Sequence, residues 1–113
     1  MQFLTNFYDK QGKVITIEEY GELDTPEYKQ CDRSTVGEKV LSTVWLGLDH
    51  NVTGREIHIF ETAEFKNEDD MSDVIVHMRY ETLEQAMQGH MNILERMKKK
   101  HLEENPHLIG QIR

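Results

Sequence analysis

The sequence holds a single cysteine, two prolines, one tryptophan and no long apolar run. Each shortage removes a class of protein. Cys31 has no partner for an internal disulfide, which fits a reducing compartment, and no paired Cys-x-x-Cys exists for structural zinc. The two prolines sit in turn-like settings, Thr25-Pro26 and Asn105-Pro106, so there is no proline-rich linker. No stretch approaches the roughly 18 apolar residues of a membrane span. The first residues, Met1-Gln2-Phe3-Leu4, lack the basic and apolar regions of a signal peptide, so a cytoplasmic protein is expected. Positive charge is also scarce. Lys and Arg number 13 against 21 Asp and Glu, a net charge of -8, which argues against general binding to a phosphate backbone. Phosphate-binding loops, dinucleotide fingerprints, zinc-protease motifs, nucleophile elbows and calcium loops are all missing. No cofactor or metal is expected.

What is there reads as one α+β domain. With 113 residues, 37% hydrophobic and 30% charged, the chain can bury a core without staples. The core is expected over about 7–104, with 105–113 a loose tail. Residues 1–81 hold 17 acidic and 8 basic side chains, whereas 82–113 hold 4 and 5, so the acidity belongs to the sheet and its loops.

Apolar pairs around Asp9-Lys10-Gln11-Gly12 predict a short hairpin. Thr16 and Glu19 form a capping box for a helix over 17–23 that buries Ile17, Tyr20 and Leu23. Strands follow at 28–35, 39–49, 55–65 and 74–80. Alternation puts Val40, Val44, Leu46 and Leu48 on one face and Leu41, Thr43, Trp45 and Asp49 on the other. Ile57, Ile59, Glu61, Ala63 and Phe65 share a face, as do Val74, Val76, Met78 and Tyr80. Thr82 and Gln85 cap a long helix over 83–103 with the stripe Leu83, Ala86, Met87, Met91, Leu94 and Met97, and Ile93 at its edge. The expected architecture is an antiparallel sheet of four to five strands, one long C-terminal helix on one face and a short N-terminal helix nearby.

Candidate site residues come from geometry, since no strong motif exists. A helix running back over the sheet brings His90 above Glu61, with Ser42 and Ala63 leaving room. Such a pair is either an acid–base site or a satisfied buried pair that docks the helix, and the second is commoner. Asp49 and His50 are adjacent, so they act together only if the strand bends, and Gly47 is suited to a bend or a close backbone approach. Without a bend, Asp49 bonds turn amides. Arg79 and Tyr80, at a strand end beside a helix N-terminus, suit an anion, although such an arginine more often pairs with a sheet carboxylate. Trp45 and Phe60 fall on the face opposite the expected helix. There they offer a partner surface unless the N-terminal segment covers them. His58 and His77 occupy neighbouring strands but lack a third metal ligand. Arg96 and Lys98-Lys99-Lys100 complement the helix dipole.

The string Ser42-Thr43-Val44-Trp45-Leu46-Gly47-Leu48-Asp49-His50 resembles a group of small uncharacterised proteins encoded by bacteriophages and prophages. The likeness extends to Ile59-Phe60-Glu61-Thr62, Arg79-Tyr80 and Ala86-x-x-Gly89-His90. It also takes in Phe7-Tyr8-Asp9, the segment 15–20 and Pro26-Glu27-Tyr28. It departs after His50, where Val52-Thr53-Gly54-Arg55 stands in place of a Gly/Pro-rich loop. The resemblance implies a phage or prophage accessory protein inside a bacterium, and carries no assigned activity.

Three functions remain open at this stage. The first is a binding protein that meets a host or phage protein rather than nucleic acid or membrane, as an acidic inhibitor of a host defence protein would. The second is a small hydrolase or metal-dependent enzyme using Glu61 and His90, with His50 and Asp49 as further candidates at the far end of their strand. The third is a homo-oligomeric structural accessory joined through Trp45 and Phe60.

Overall fold

Each element of the chain has a local cause. Phe7–Tyr8 (β1) and Val14–Ile15 (β2) pair as a hairpin whose turn is tied by Asp9 Oδ1, which accepts from the backbone N–H groups of Gln11 and Lys13. Thr16 and Glu19 close the expected capping box ahead of Ile17–Leu23 (α1). Thr25 then caps a single helical turn, Pro26–Lys29 (α2), where the start of a strand was expected. Proline at the first helical position, with its φ already set, favours the turn.

Gln30–Val36 (β3), Lys39–Trp45 (β4), Phe60–Phe65 (β5) and Ile75–Tyr80 (β6) form one antiparallel sheet in the order β3-β4-β5-β6. Thr82 and Gln85 make the second capping box and open Leu83–Glu104 (α3), which Asn105 ends. Residues 106–111 continue as a 3-10 turn where a loose tail was expected. The structure, a computed structural model, describes residues 6–49 and 56–111. The expected turn at 51–54 and His50 lie outside them. Among the described residues no helix is long and apolar enough to cross a membrane.

The helix packs on the other face of the sheet from the one expected. Leu41, Thr43 and Trp45 of β4, opposite Glu64, Thr62 and Phe60 of β5, lie beneath α3, and all of them but Glu64 are fully buried. Ser42 and Glu61 lie on the far side. Strand β4 carries apolar residues on both faces, so alternation alone does not choose between them. The largest side chains, Trp45 and Leu41, decide, because burying them removes the most apolar area from water.

In β6 a bulge between Met78 and Val76 breaks the two-residue period. Val76 therefore opposes Ala63 on the outer face while Met78 and Tyr80 oppose Thr62 and Phe60 on the inner one. The four do not share a face as expected. The buried stripe of α3 is also rotated: Ala86, His90, Ile93 and Leu94 are buried, while Met87 and Met91 are exposed. In α1 Ile17 is 62% exposed, not buried.

Two clusters form the core. Val36, Leu41, Ile93 and Leu94 hold the second half of α3 to the β3–β4 hairpin. Tyr8, Ile15, Trp45, Ile59, Phe60, Tyr80 and Ala86 form the other, with Tyr20 and Tyr28 packed around the indole. The N-terminal segment thus covers Trp45, whose Nε1–H donates to the Tyr8 carbonyl at 2.9 Å. Gly47 completes this joint. It has φ +77°, its carbonyl accepts from the Tyr8 N–H at 2.8 Å, and a side chain there would collide with Tyr20 and Trp45. The close backbone approach expected at Gly47 is present. At Gly89 a Cβ would overlap the ring and hydroxyl of Tyr80, so the glycine lets α3 settle onto the sheet.

These contacts predict how mutation partitions. Trp45→Ala should cost about 3–5 kcal/mol and Leu94→Ala about 2–5 kcal/mol in urea denaturation. Met91→Ala, on the exposed side of α3, should shift stability by less than about 0.5 kcal/mol. A Met91 effect as large as that of Leu94 would mean that α3 docks on the expected methionine stripe after all.

Candidate functional site

His90 is the centre of a buried polar chain. The third turn of α3 carries it straight down onto β4, where Nδ1 shares a 2.8 Å hydrogen bond with Thr43 Oγ1. Thr43 Oγ1 also bonds Thr62 Oγ1 on β5. On the other side of the ring, Nε2 shares a 2.9 Å hydrogen bond with Ser34 Oγ on β3, and Asp32 Oδ2 lies 3.7 Å away. The network stitches one helix to three strands. It works because threonine and serine alternate into the interior at three adjacent strand positions, and each has one hydroxyl to offer.

A serine beside a histidine invites comparison with a nucleophile and its base. The surroundings point elsewhere. His90 is 0% exposed, so no substrate reaches the ring. Its second nitrogen is held by Thr43 rather than by a carboxylate that would stabilise an imidazolium. Burial pushes the His90 imidazole below its ordinary value, and Asp32 pulls in the opposite direction. The group is a neutral connector, the structural role weighed for it, with hydroxyl partners in place of Glu61.

Glu61 and His90 do not meet. Glu61 lies on the outer face, where Oε2 accepts from Arg79 Nε at 3.0 Å. The hairpin register sets Glu61 directly opposite Arg79, which explains the pair. Arg79 is thus engaged with a sheet carboxylate, and Tyr80 is buried. Asp49 Oδ1 accepts from the His58 backbone N–H at 2.9 Å, as a strand-end carboxylate does. Trp45 and Phe60 are buried and present no surface.

A second polar group lies in an open cleft of about 680 Å³ beside the second half of α3. Its floor holds Glu64, only 12% exposed at the side chain, with Oε1 2.8 Å from His77 Nε2 and Oε2 3.7 Å from Lys39 Nζ. This grouping was missed at the level of sequence. Alternation places His77 on the outer face, and only the bulge in β6 lets it bond an inner-face carboxylate. Among the described residues no group of three or more His, Cys, Asp or Glu side chains is placed to hold a metal ion. Burial also raises the pKa of the Cys31 thiol, away from the reactive thiolate.

No family model, curated protein or solved structure matches the chain.

The His90 environment sets a pH dependence. Its pKa is lower folded than in the unfolded chain, where histidine titrates near about 6.5. Below that value the unfolded state takes up a proton that the folded state resists. The stabilising contribution is therefore complete above it and is lost as pH falls. The drop in unfolding free energy from about pH 7.5 to about pH 5.5 should be smaller in His90→Gln than in the wild type. An equal drop in both proteins would show that His90 titrates normally.

Proposed function

We propose that the protein acts by binding another protein, and that the contact is made along the free edge of β6. The supporting observation is the exposure of that strand. Five of its six residues are exposed, with Ile75 at 55%, Val76 at 45% and Met78 at 57%. Val74 and Met71 extend the apolar patch before it. An outermost strand leaves a row of backbone N–H and C=O groups open, and proteins usually blunt such an edge with charge. Here large apolar residues occupy it, which suits a partner that adds an extended segment as a fifth strand.

Charge narrows the partner. Glu68, Asp69, Asp70 and Asp73 precede β6 and Glu81 follows it. The loop before the strand is ordered by its own side chains. Asn67 Oδ1 accepts from the N–H groups of Asp69 and Asp70, and Asp70 Oδ1 accepts from the Ser72 N–H. A preorganised acidic flank beside an apolar edge fits a basic segment with apolar residues, and it steers such a segment inward. In the cytoplasm of a bacterium this is the chemistry of an acidic phage or prophage accessory protein that occupies a basic surface of a host defence protein. The -8 net charge agrees with it.

A second copy of the chain is the alternative occupant. Asp73 and Arg79 bracket the apolar residues with opposite charges, so two β6 strands running antiparallel bring unlike charges together.

The test is a doubly substituted edge, Val76→Lys with Met78→Lys, which should leave the core intact. Wild-type protein should capture a basic protein from bacterial lysate. Hydrogen exchange of the complex should slow at 74–79, and the double variant should lose the capture. Retention of the partner by the variant, or protection appearing elsewhere, would remove β6 from the interface. Light scattering at rising concentration separates a self-paired dimer from a monomer that awaits a partner.

A further inference from the structure

We propose that the cleft beneath the second half of α3 is a binding site for a small amphiphile with an apolar body and an anionic head. It adjoins the edge of β6 and shares Ile75 with it, but the inference does not depend on the reading of that edge.

The cleft lies where the second half of α3 passes over the β3–β4 turn and the ends of β5 and β6. Leu94 packs with Val36 and Leu41, and the His101 imidazole lies against Gly37. Beside these contacts, Ile93, Arg96, Met97 and Lys100 of α3, the β3–β4 turn from Val36 to Lys39 and the ends of β5 and β6 line open space of about 680 Å³. That volume falls within the range of about 300–1,000 Å³ typical of small-molecule sites. Ile93, Met97 and Ile75 supply apolar walls.

The polar groups are arranged for a negative head. Glu64 at the floor is compensated from two sides, by His77 and Lys39, so its charge is already met. Lys100 is paired with Glu104 at 4.0 Å. Arg96 and Lys66 make no hydrogen bond or ion pair among the described residues, although Lys66 stands close enough to Asp70 to stabilise that carboxylate. Glu38 is a third acidic group of the lining, so the cations Arg96 and Lys66 exceed by one the acids that no lining cation meets. A neutral apolar ligand would leave these cations unused. A strongly hydrated anion would leave the walls unused. An anionic amphiphile uses both, with its chain against Ile93 and Met97 and its head at Arg96, a planar donor suited to carboxylate or phosphate oxygens.

Decanoate, decyl phosphate and decanol, each below its aggregation concentration, should be titrated into the isotope-labelled full chain and followed by amide chemical shifts. Saturable shifts at Ile75, Ile93 and Met97 are expected with the two anions, and weaker binding with decanol. A preference between the anions assigns the head as carboxylate or phosphate. Substituting both cations, Arg96→Gln with Lys66→Gln, should weaken anion binding about tenfold while leaving decanol unchanged. Both positions are on the surface, so the variant should melt like the wild type. The proposal fails if no saturable shift occurs, if decanol binds as tightly as the anions, or if the double variant keeps its affinity.

Discussion

The hydrogen bond between Thr43 and His90 fixes the rotation of α3 about its own axis, and the rest of the molecule adjusts to that rotation. A helix resting on a sheet by apolar contact alone can turn through tens of degrees at modest cost, because hydrophobic burial is not directional. An imidazole with both nitrogens engaged cannot turn without stranding buried polar groups, at about 1–3 kcal/mol each. Thr43, Thr62 and Ser34 hold the ring between three strands. Ile93 and Leu94 then meet Val36 and Leu41, Gly89 lies on Tyr80, and Met87 and Met91 are turned outward.

The other half of the molecule is organised by Trp45. Its ring is wrapped by Tyr20 and Tyr28, and its N–H is satisfied by the Tyr8 carbonyl. A sheet with one helix on one face would leave the Trp45 end uncovered, since α3 reaches it only through Leu83 and Ala86. The β1–β2 hairpin and α1 supply the missing cover. All the large buried rings therefore lie on one side of the sheet, and the outer side is left to Glu61, Arg79 and their neighbours.

Local features were legible in the sequence and choices between faces were not. Both capping boxes, the Gly47 approach and the Asn105 stop depend on a few consecutive residues, so spacing reveals them. The face of β4 depends on comparing Val40 and Val44 with Leu41 and Trp45, both apolar sets, and the wrong one was favoured. That choice carried His90 toward Glu61 and left Trp45 and Phe60 outside. His90 was turned toward the sheet, as it is, but the stripe was drawn wide enough to take in Met87 and Met91, which are exposed. The hydroxyls that make His90 acceptable inside belong to distant strands. The bulge at His77 has no glycine or proline to mark it, so the Glu64–His77 contact had no visible signal.

The strand order β3-β4-β5-β6 repeats the order of the chain, with every neighbour joined by a direct return. No strand waits for a distant segment to be inserted between its partners. Loop closure between neighbouring strands is therefore inexpensive. The long-range contacts are those of α3, whose His90 meets Ser34 from 56 residues away, and of the N-terminal unit, whose Tyr8 meets Trp45 from 37 residues away. The sheet and α3 can assemble first, which leaves the indole exposed until β1, β2 and α1 arrive. Tryptophan fluorescence would then report the last stage of folding, the docking of the N-terminal unit, and not the collapse of the sheet.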